Sequence, residues 1–473
     1  MVFSSAIFIF GFLPLVYIVY RLLPGLRARN CFLALVSVVF YAFGLPRYVP
    51  LFLATILVNY LAGLALMGVS GQGKRKALLA IAMAADLGLL VFYKYTDFLI
   101  AGVNSLLATA IPLPGIILPI GISFFTFQSM SYTIDVYRDP SAGTRSFMKL
   151  LLYIAFFPQL IAGPIVKYHD ISQQIDGRVC TPGETVEGIQ RFILGLAKKL
   201  LIANAAGRVA DAVFSAAAGA AVLDWRLAWA GGICYTLQIY YDFSGYSDMA
   251  IGMGHMFGFS FKENFLFPYG ACSMTEFWQR WHVSLTSWFR EYLYIPLGGN
   301  RRGKGRMVLN RFIVFLCTGI WHGANWTFII WGLCHGALTS IERLGPGRPA
   351  GPARRVAGRV YTMLAVTLLF VVFRADSLSQ AWSVISAMFS FRVTAQGGYL
   401  LAKLLDGATV AACLVAVALA GNLVPRLKAR LAGRGEPGAL GTALSCLGSL
   451  ALLLVSLMCL SGGGFDPFIY FQF

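Results

Sequence analysis

The stretch that decides the fold is Val2 to Leu23, VFSSAIFIFGFLPLVYIVYRLL, in which Arg21 is the only charged side chain. An apolar run of about 20 residues is long enough to cross a bilayer as a helix. The run lacks a basic leader and an A-x-A cleavage signal, so we expect it to be retained as a first span. Arg21, Arg27 and Arg29 predict that it ends in the cytoplasm and begins outside.

Apolar runs recur along the chain and dominate its composition. The 473 residues are 58% apolar and 12% charged, whereas soluble domains carry about 25% charged residues. Further stretches that we expect to cross or enter the membrane lie near 31–44, 48–68, 77–93, 98–112, 116–137, 147–166, 222–243, 308–340, 358–373, 408–424 and 440–460. The sequence therefore predicts an all-α polytopic membrane protein with about 11–13 transmembrane or re-entrant helices.

The charge distribution indicates topology. The formal net charge of +18 would suit a nucleic-acid-binding protein. The basic residues instead form short clusters between apolar runs, at 21–29, 74–76, 301–306, 343–359 and 426–434. Such clusters mark cytoplasmic loops, so we expect membrane lipid and no nucleic acid as a partner. The last cluster places the tail ending at Phe473 outside, like the N-terminus.

Two segments are too polar to span. Residues 167–210 carry Lys198 and Lys199, and residues 260–306 are rich in Trp, Tyr and Arg. We expect both at the cytoplasmic interface of a single membrane-embedded domain covering residues 1–473. The 50 glycines and several prolines predict broken or re-entrant helices.

The first candidate for chemistry is His322, in Gly319-Ile-Trp-His-Gly-Ala-Asn-Trp326. On a helix it would lie about 16 Å from Arg311, near the middle of the membrane. Ionisable groups at that depth are costly and are functional hypotheses by default. Burial would keep the imidazole neutral and able to accept a proton, and Asn325 could orient it or bind a substrate oxygen. The alternative is a core histidine bonded to a backbone carbonyl.

His282 is the second candidate, within residues 277–294. At about 100° per residue, Gln279, His282, Thr286 and Arg290 form one polar stripe on a predicted amphipathic helix. This helix either lies flat at the membrane surface or lines the mouth of a cytoplasmic cavity. Residue type and spacing do not choose between a functional and a structural His282.

Polar residues also interrupt two apolar stretches. Residues 240–252 place Asp242 and Asp248 among tyrosine and serine hydroxyls. We favour capping of a new helix by Ser244, Ser247 and Asp248, with a polar cavity wall as the alternative. In residues 121–128, the hydroxyls and the amide are expected to bond between helices.

Other kinds of site find no support in the sequence. The five histidines show no metal-ligand spacing, and the nine cysteines form no CxxC pair. HExxH, P-loop, GxSxG and dinucleotide-binding motifs do not occur. We expect no metal site, no bound cofactor and no covalent Ser or Cys nucleophile.

Taken together, these segments resemble the membrane-bound O-acyltransferase family, in particular its bacterial polysaccharide-modifying branch. The motifs that carry the resemblance are Pro119-Ile-Gly-Ile-Ser-Phe124, Phe156-Phe-Pro-Gln-Leu-Ile-Ala-Gly-Pro-Ile165, residues 242–252, Trp281-His282, Trp288-Phe-Arg-Glu-Tyr-Leu-Tyr-Ile-Pro-Leu-Gly-Gly299, Gly319-Ile-Trp-His-Gly323 and Pro467-Phe-Ile-Tyr-Phe-Gln-Phe473. They lie most densely in residues 90–340. Glu291 stands where the branch pattern has Asp, which keeps the charge.

The resemblance implies a ring of tilted spans around a central cavity. It implies that His322 is the catalytic residue and that His282 is a second essential position. The residues then expected to contact substrate are Asn325, Arg290, Asp242 and Tyr246.

The implied activity is acetyl transfer from a cytoplasmic thioester, with acetyl-CoA as the expected donor and His322 as general base. The expected product is an O-acetylated exopolysaccharide, with alginate the first candidate. Periplasmic acetyl-transfer proteins and the polysaccharide synthesis machinery are the implied partners at the bacterial inner membrane. The alternatives are another cell-surface glycan (cellulose, peptidoglycan or teichoic acid) and a non-enzymatic export scaffold or transporter. The sequence shows no inverted repeat, the feature that would favour a transporter.

Overall fold

The computed structural model describes residues 2–218, 223–345, 351–421, 423–424, 439–462 and 468–469. Within these ranges the chain is mainly helical and contains no β-strand. Six of the helices are long and apolar enough to cross a membrane. A seventh span results if Ala395–Leu404 and Gly407–Ala420, which meet at 75°, count as one. The prediction of an all-α polytopic membrane protein is confirmed.

The α-helices are α1 (Leu13–Leu22), α2 (Gly25–Ala42), α3 (Val49–Gly68), α4 (Gln72–Leu107), α5 (Ile122–Arg138), α6 (Phe147–Ala155), α7 (Phe157–Leu160), α8 (Tyr168–Asp176), α9 (Pro182–Ala197), α10 (Asn204–Ala218), α11 (Trp225–Met256), α12 (Met274–Arg280), α13 (Val283–Phe289), α14 (Gly303–His322), α15 (Trp326–Leu344), α16 (Pro352–Arg374), α17 (Leu378–Phe389), α18 (Ala395–Leu404), α19 (Gly407–Ala420) and α20 (Ala439–Gly462). Segments of π-helix occur at Ile7–Phe12, Lys198–Ala203 and Arg290–Tyr294, and 3-10 turns at Pro46–Tyr48, Pro140–Ala142 and Pro268–Gly270.

Several helices have other bounds than the sequence predicted. The helix α4 is continuous over 36 residues and covers the span expected at 77–93 and most of the one expected at 98–112. The charged side chains between those spans do not interrupt it, because charge alone breaks no backbone hydrogen bond. The first apolar run forms a shorter helical stretch, Ile7–Leu22, which ends where Pro24 forces Leu23 into an extended conformation.

The polar segment beginning at residue 167 also differs from the expectation. Residues 182–218 form one helical stretch, with a π-helical segment inside it, that is long and apolar enough to cross a membrane. Only the short helix α8 precedes it. The charges of residues 167–210 led us to expect the whole segment at the membrane interface. In the structure, most of these charged residues lie on the helical stretch 182–218, which is otherwise apolar.

The chain divides into two compact units, Met1–Phe192 with Ser247–Glu263, and Ile193–Tyr246 with Asn264–Phe473. In the first unit, α5 packs against α3 and α4 and is buried along most of its length. Its polar side chains bond to neighbouring helices: Thr133 Oγ1 donates to Asn59 Oδ1 at 2.6 Å, and Ser123 Oγ accepts from Lys94 Nζ at 3.4 Å. The Ser123 contact agrees with the bonding between helices expected of residues 121–128.

In the second unit, α14 and α15 form a helical hairpin, against which α12 and α16 pack. Both candidate histidines lie in this unit. In the same unit, α10 packs against both α17 and α19.

Candidate functional site

The hairpin of α14 and α15 positions the first candidate residue. We expected residues 308–340 to be one span, which is wrong: the helix stops at His322 and a new one starts at Trp326. Asn325 causes the restart, because its side-chain oxygen accepts a hydrogen bond from the Thr327 N–H at 3.1 Å and caps α15.

Two glycines bring α14 and α15 into close contact. A Cβ atom on Gly319 would meet the carbonyl oxygen of Phe328, and one on Gly332 would meet that of Phe315, both well inside van der Waals distance. Both obstacles are backbone atoms, which cannot rotate away. The interface therefore requires glycine at these two positions.

We expect Gly319→Ala to destabilise the protein by about 1–3 kcal/mol, because the added methyl group overpacks the hairpin. Gly305→Ala, on the same helix, is the matched control. Its Cβ would meet open space, so the change should stabilise α14 by about 0.5–1 kcal/mol. Thermal unfolding in mild detergent measures both, and equal effects of the two changes would contradict the close packing.

His322 is the last residue of α14 and is 5% exposed. Its ring stands edge-on to those of Trp331 and Phe373, with centroid distances of 5.2 and 5.1 Å. His322 thus ends α14 with its ring enclosed by aromatic side chains.

His282 lies at a break in the chain between α12 and α13. The continuous amphipathic helix expected over residues 277–294 is wrong, because His282 adopts a left-handed conformation (φ 44°, ψ 53°). The Val283 N–H, freed by this break, donates to the backbone oxygen of Asn264 at 2.9 Å. The expected polar stripe does not form, since His282 is completely buried while Arg290 is exposed.

The imidazole of His282 is hydrogen-bonded to two side chains. Its Nδ1 lies 3.2 Å from Asn264 Oδ1 and 3.4 Å from Ser284 Oγ. Burial lowers the pKa of His282 to about 3. The ring of His282 is therefore neutral near pH 7.

The structure brings the two candidate histidines together through Trp321. The indole of Trp321 lies 5.0 Å from the ring of His322 and 6.1 Å from the ring of His282, centroid to centroid. Next to them, His335 accepts a hydrogen bond from Trp278 Nε1 at 3.1 Å and packs on Trp331. The three histidines share one aromatic cluster within the second unit.

Asn325 is hydrogen-bonded within the protein, whereas Arg290 is exposed. The amide oxygen of Asn325 caps α15, and its nitrogen donates to the backbone oxygen of Asp376 at 2.9 Å. Both ends of the amide are therefore bonded to the protein. Arg290 begins the π-helical segment Arg290–Tyr294 and is exposed.

Asp242 and Tyr246 contact Ile469 and Phe468 near the end of the chain. Asp242 Oδ1 lies 2.5 Å from Lys199 Nζ in a buried ion pair, and Asp242 Oδ2 accepts the N–H of Ile469 at 2.8 Å. Tyr246 stands edge-on to Phe468, at a centroid distance of 5.0 Å. These contacts bind the carboxylate and the phenol ring to the protein itself.

The capping expected of Ser244, Ser247 and Asp248 is wrong, because all three lie inside the continuous helix α11. No helix starts there. Asp248 instead pairs with the guanidinium of Arg191 at 2.6 Å. A helix of this length needs no internal cap, and the serines fit within its buried surface.

Sequence reasoning missed Asn264, Trp321 and Lys199 as members of this arrangement. Trp321-His322 occurs in a quoted motif, but nothing in the spacing shows that the indole also meets His282. Asn264 and Lys199 are distant in sequence from their partners, and only folding brings them together. Within the ranges that the structure describes, no group of three His, Cys, Asp or Glu side chains is arranged to hold a metal ion.

Comparison with known proteins identifies the kind of chain. The family profile described as "MBOAT, membrane-bound O-acyltransferase family" matches residues 85–346. A protein of Pseudomonas putida named "Probable alginate O-acetylase AlgI" is 40% identical over the full length of both chains. A peptidoglycan O-acetyltransferase of Helicobacter pylori is 35% identical over 82% of this chain and 80% of its own. A teichoic acid D-alanyltransferase of Bacillus subtilis is 28% identical over 46% of this chain and 57% of its own.

Proposed function

The chain belongs to the membrane-bound O-acyltransferase family and is a multi-pass O-acyltransferase, and we propose that it moves an acetyl group from a cytoplasmic thioester to hydroxyl groups of an exopolysaccharide. The observation that supports this most is the position of His322, a buried imidazole at the end of α14 that is linked to His282 through Trp321.

In the proposed reaction, His322 acts as general base. Its unprotonated ring nitrogen takes the proton of an acceptor hydroxyl while the hydroxyl oxygen attacks the thioester carbonyl carbon. The new C–O bond forms as the C–S bond breaks, and the thiol leaves with the proton returned from the imidazolium. Aromatic rings around His322 limit the access of water, which would otherwise hydrolyse the thioester.

The negative charge on the attacked carbonyl oxygen needs hydrogen-bond donors. The start of α15 follows His322 by four residues, and the first N–H groups of a helix suit a developing oxyanion. Asn325 would help by holding that helix start in place through its cap on Thr327. Its proposed part in substrate binding is therefore to shape the backbone around the oxyanion.

The donor would be acetyl-CoA, bound as a substrate from the cytoplasmic side. Arg290, Arg301 and Arg302 are exposed, and the last two lie just before the start of α14. That end lies about 30 Å along the helix from His322. We propose that these guanidinium groups attract the donor's phosphates while its thioester extends toward the histidine.

The acceptor would be alginate, since relatives about 40% identical over the full chain carry the name alginate O-acetylase. Periplasmic acetyl-transfer proteins and the polysaccharide synthesis machinery would complete the modification. The proposal assigns the chain to the bacterial inner membrane, with both termini expected outside. For Asp242 and Tyr246 we propose an indirect role in substrate binding. They hold Ile469 and Phe468 beside α11.

Sealed membrane vesicles of opposite orientation test the donor and its side. Acetyl-CoA carrying a labelled acetyl group does not cross a bilayer, so we expect label in the polysaccharide only when the cytoplasmic face is exposed to it. Vesicles containing His322→Gln give the background. Equal labelling from both faces, or labelling that does not need His322, would contradict the proposal.

A further inference from the structure

We propose that Asn264 is a positioning residue that fixes His282 in a single neutral form, with the proton on Nδ1 and the lone pair on Nε2. This inference rests on the proposed function, because it assigns His282 a part in the same transfer reaction. It concerns three side chains, those of Asn264, His282 and Ser284, all within the second unit.

The first step is the orientation of the Asn264 amide. The backbone N–H of Ser284 points at its Oδ1, at 3.3 Å, and a backbone N–H can only donate. The atom facing it must be the amide oxygen, because the NH₂ group there would set two donors against each other. Since Asn264 is completely buried, the amide has no alternative orientation toward water.

The second step is the Ser284 hydroxyl. Ser284 Oγ donates to the same Asn264 oxygen at 2.8 Å and has only one proton to give. Toward His282 Nδ1, at 3.4 Å, the hydroxyl can then offer only a lone pair. Asn264 Oδ1, at 3.2 Å, likewise offers only lone pairs to Nδ1.

The third step follows from these two. Both groups that face Nδ1 are acceptors, so Nδ1 must carry the proton. A neutral imidazole has one N–H, and the lone pair is therefore on Nε2. Burial favours that neutral ring over the imidazolium.

The break in the chain at His282 has the same partner. His282 adopts φ 44°, which residues with a Cβ atom rarely do. The N–H of the next residue, Val283, donates to the backbone oxygen of Asn264. Asn264 thus holds both the backbone turn and the ring of His282. A histidine held at both points presents Nε2 in one direction with its lone pair already in place.

Three variants test the assignment: Asn264→Leu, Asn264→Asp and, as a milder change, Ser284→Ala. Leu has a similar size but accepts no hydrogen bond, so the rate of acetyl transfer should fall at least about tenfold at every pH. The carboxylate of Asp accepts the same three bonds but stabilises the imidazolium, which raises the pKa of His282. Asn264→Asp should therefore keep activity at high pH and lose it toward low pH, between about pH 8 and pH 5.

Ser287→Ala is the matched control for Ser284→Ala, because the Ser287 hydroxyl donates to the backbone oxygen of Ser284 and does not reach the imidazole. The assay is incorporation of labelled acetyl groups into polysaccharide by permeabilised cells that hold the full chain, divided by the amount of folded protein. A merely structural Asn264 would lower the protein level in both Asn264 variants and leave the pH profile per folded molecule unchanged. That result would overturn the proposal.

Nitrogen NMR of the wild-type chain with 15N-labelled histidine gives a second test that does not depend on activity. The His282 signals, identified by their loss in His282→Gln, should show a protonated Nδ1 and an unprotonated Nε2 near pH 7. The reverse tautomer would refute the role of Asn264 even if acetyl transfer is confirmed. Failure of acetyl transfer in the wild type, with this tautomer present, would instead refute the proposed function alone.

Discussion

His322→Gln is expected to reduce acetyl transfer by about 100- to 10,000-fold, the usual contribution of a positioned general base. Glutamine nearly fills the space of the ring and hydrogen-bonds, but its amide cannot take a proton near neutral pH. Because His322 is the last residue of α14, the change leaves the helix itself intact. The measurement is the initial rate of label transfer from acetyl-CoA per folded molecule in membranes.

The matched control for this change is His169→Gln. His169 lies on α8 in the first unit, where its Nδ1 is 2.9 Å from Asp135 Oδ2 and its side chain is partly exposed. The same substitution there should change the rate by no more than about twofold, as is usual for exposed sites. A comparable loss of rate in both variants would show that histidine replacement damages the protein generally and would remove the support for His322 as base.

Lys199→Met is expected to cause the largest loss of stability, about 3–5 kcal/mol, because it leaves the Asp242 carboxylate buried opposite an apolar side chain. The two side chains are 4% and 2% exposed, and their charged atoms are 2.5 Å apart. Lys149→Met breaks an ion pair of equal length between Lys149 and Asp176, which are 38% and 59% exposed. That control should cost less than about 1 kcal/mol.

The double variant Lys199→Met/Asp242→Asn separates charge from shape. It removes both charges while Asn can still accept the N–H of Ile469, as Asp242 does. We expect it to unfold at a higher temperature than Lys199→Met alone. The measurement is the fraction of protein that stays monodisperse after heating in mild detergent. If the loss of stability in the double variant equalled the sum of the losses in Lys199→Met and Asp242→Asn, the two side chains would not be coupled. The buried ion pair would then not be what stabilises this region.

The class of protein and its family were predictable from the sequence because they depend on features that are continuous in the chain. Long apolar runs with basic clusters between them require a polytopic membrane protein whatever the details of packing. The motif around His322 is likewise local, and together with the family resemblance it made this histidine the candidate base. The family match over residues 85–346 agrees with this resemblance.

The details of the site were not predictable because they depend on breaks in helices and on distant partners. The apolar pattern of residues 277–294 fits one amphipathic helix, and nothing in it shows the left-handed conformation of His282. In the sequence, the region around Asn325 is an apolar run with one polar residue. Only the structure shows that Asn325 caps a new helix through the Thr327 N–H. Asp242 meets Lys199 and Ile469 only in the folded chain, so its ion pair left no local signal.

The most direct test of the central claim is the O-acetyl content of polysaccharide secreted by cells that carry either the wild-type chain or His322→Gln at equal membrane levels. We predict that the variant secretes the same amount of polymer with its acetyl content reduced to the level of cells without the protein. Normal acetylation in the variant would contradict the assignment of His322. Loss of polymer with its acetylation unchanged would contradict the transferase account itself and would indicate a scaffold for export.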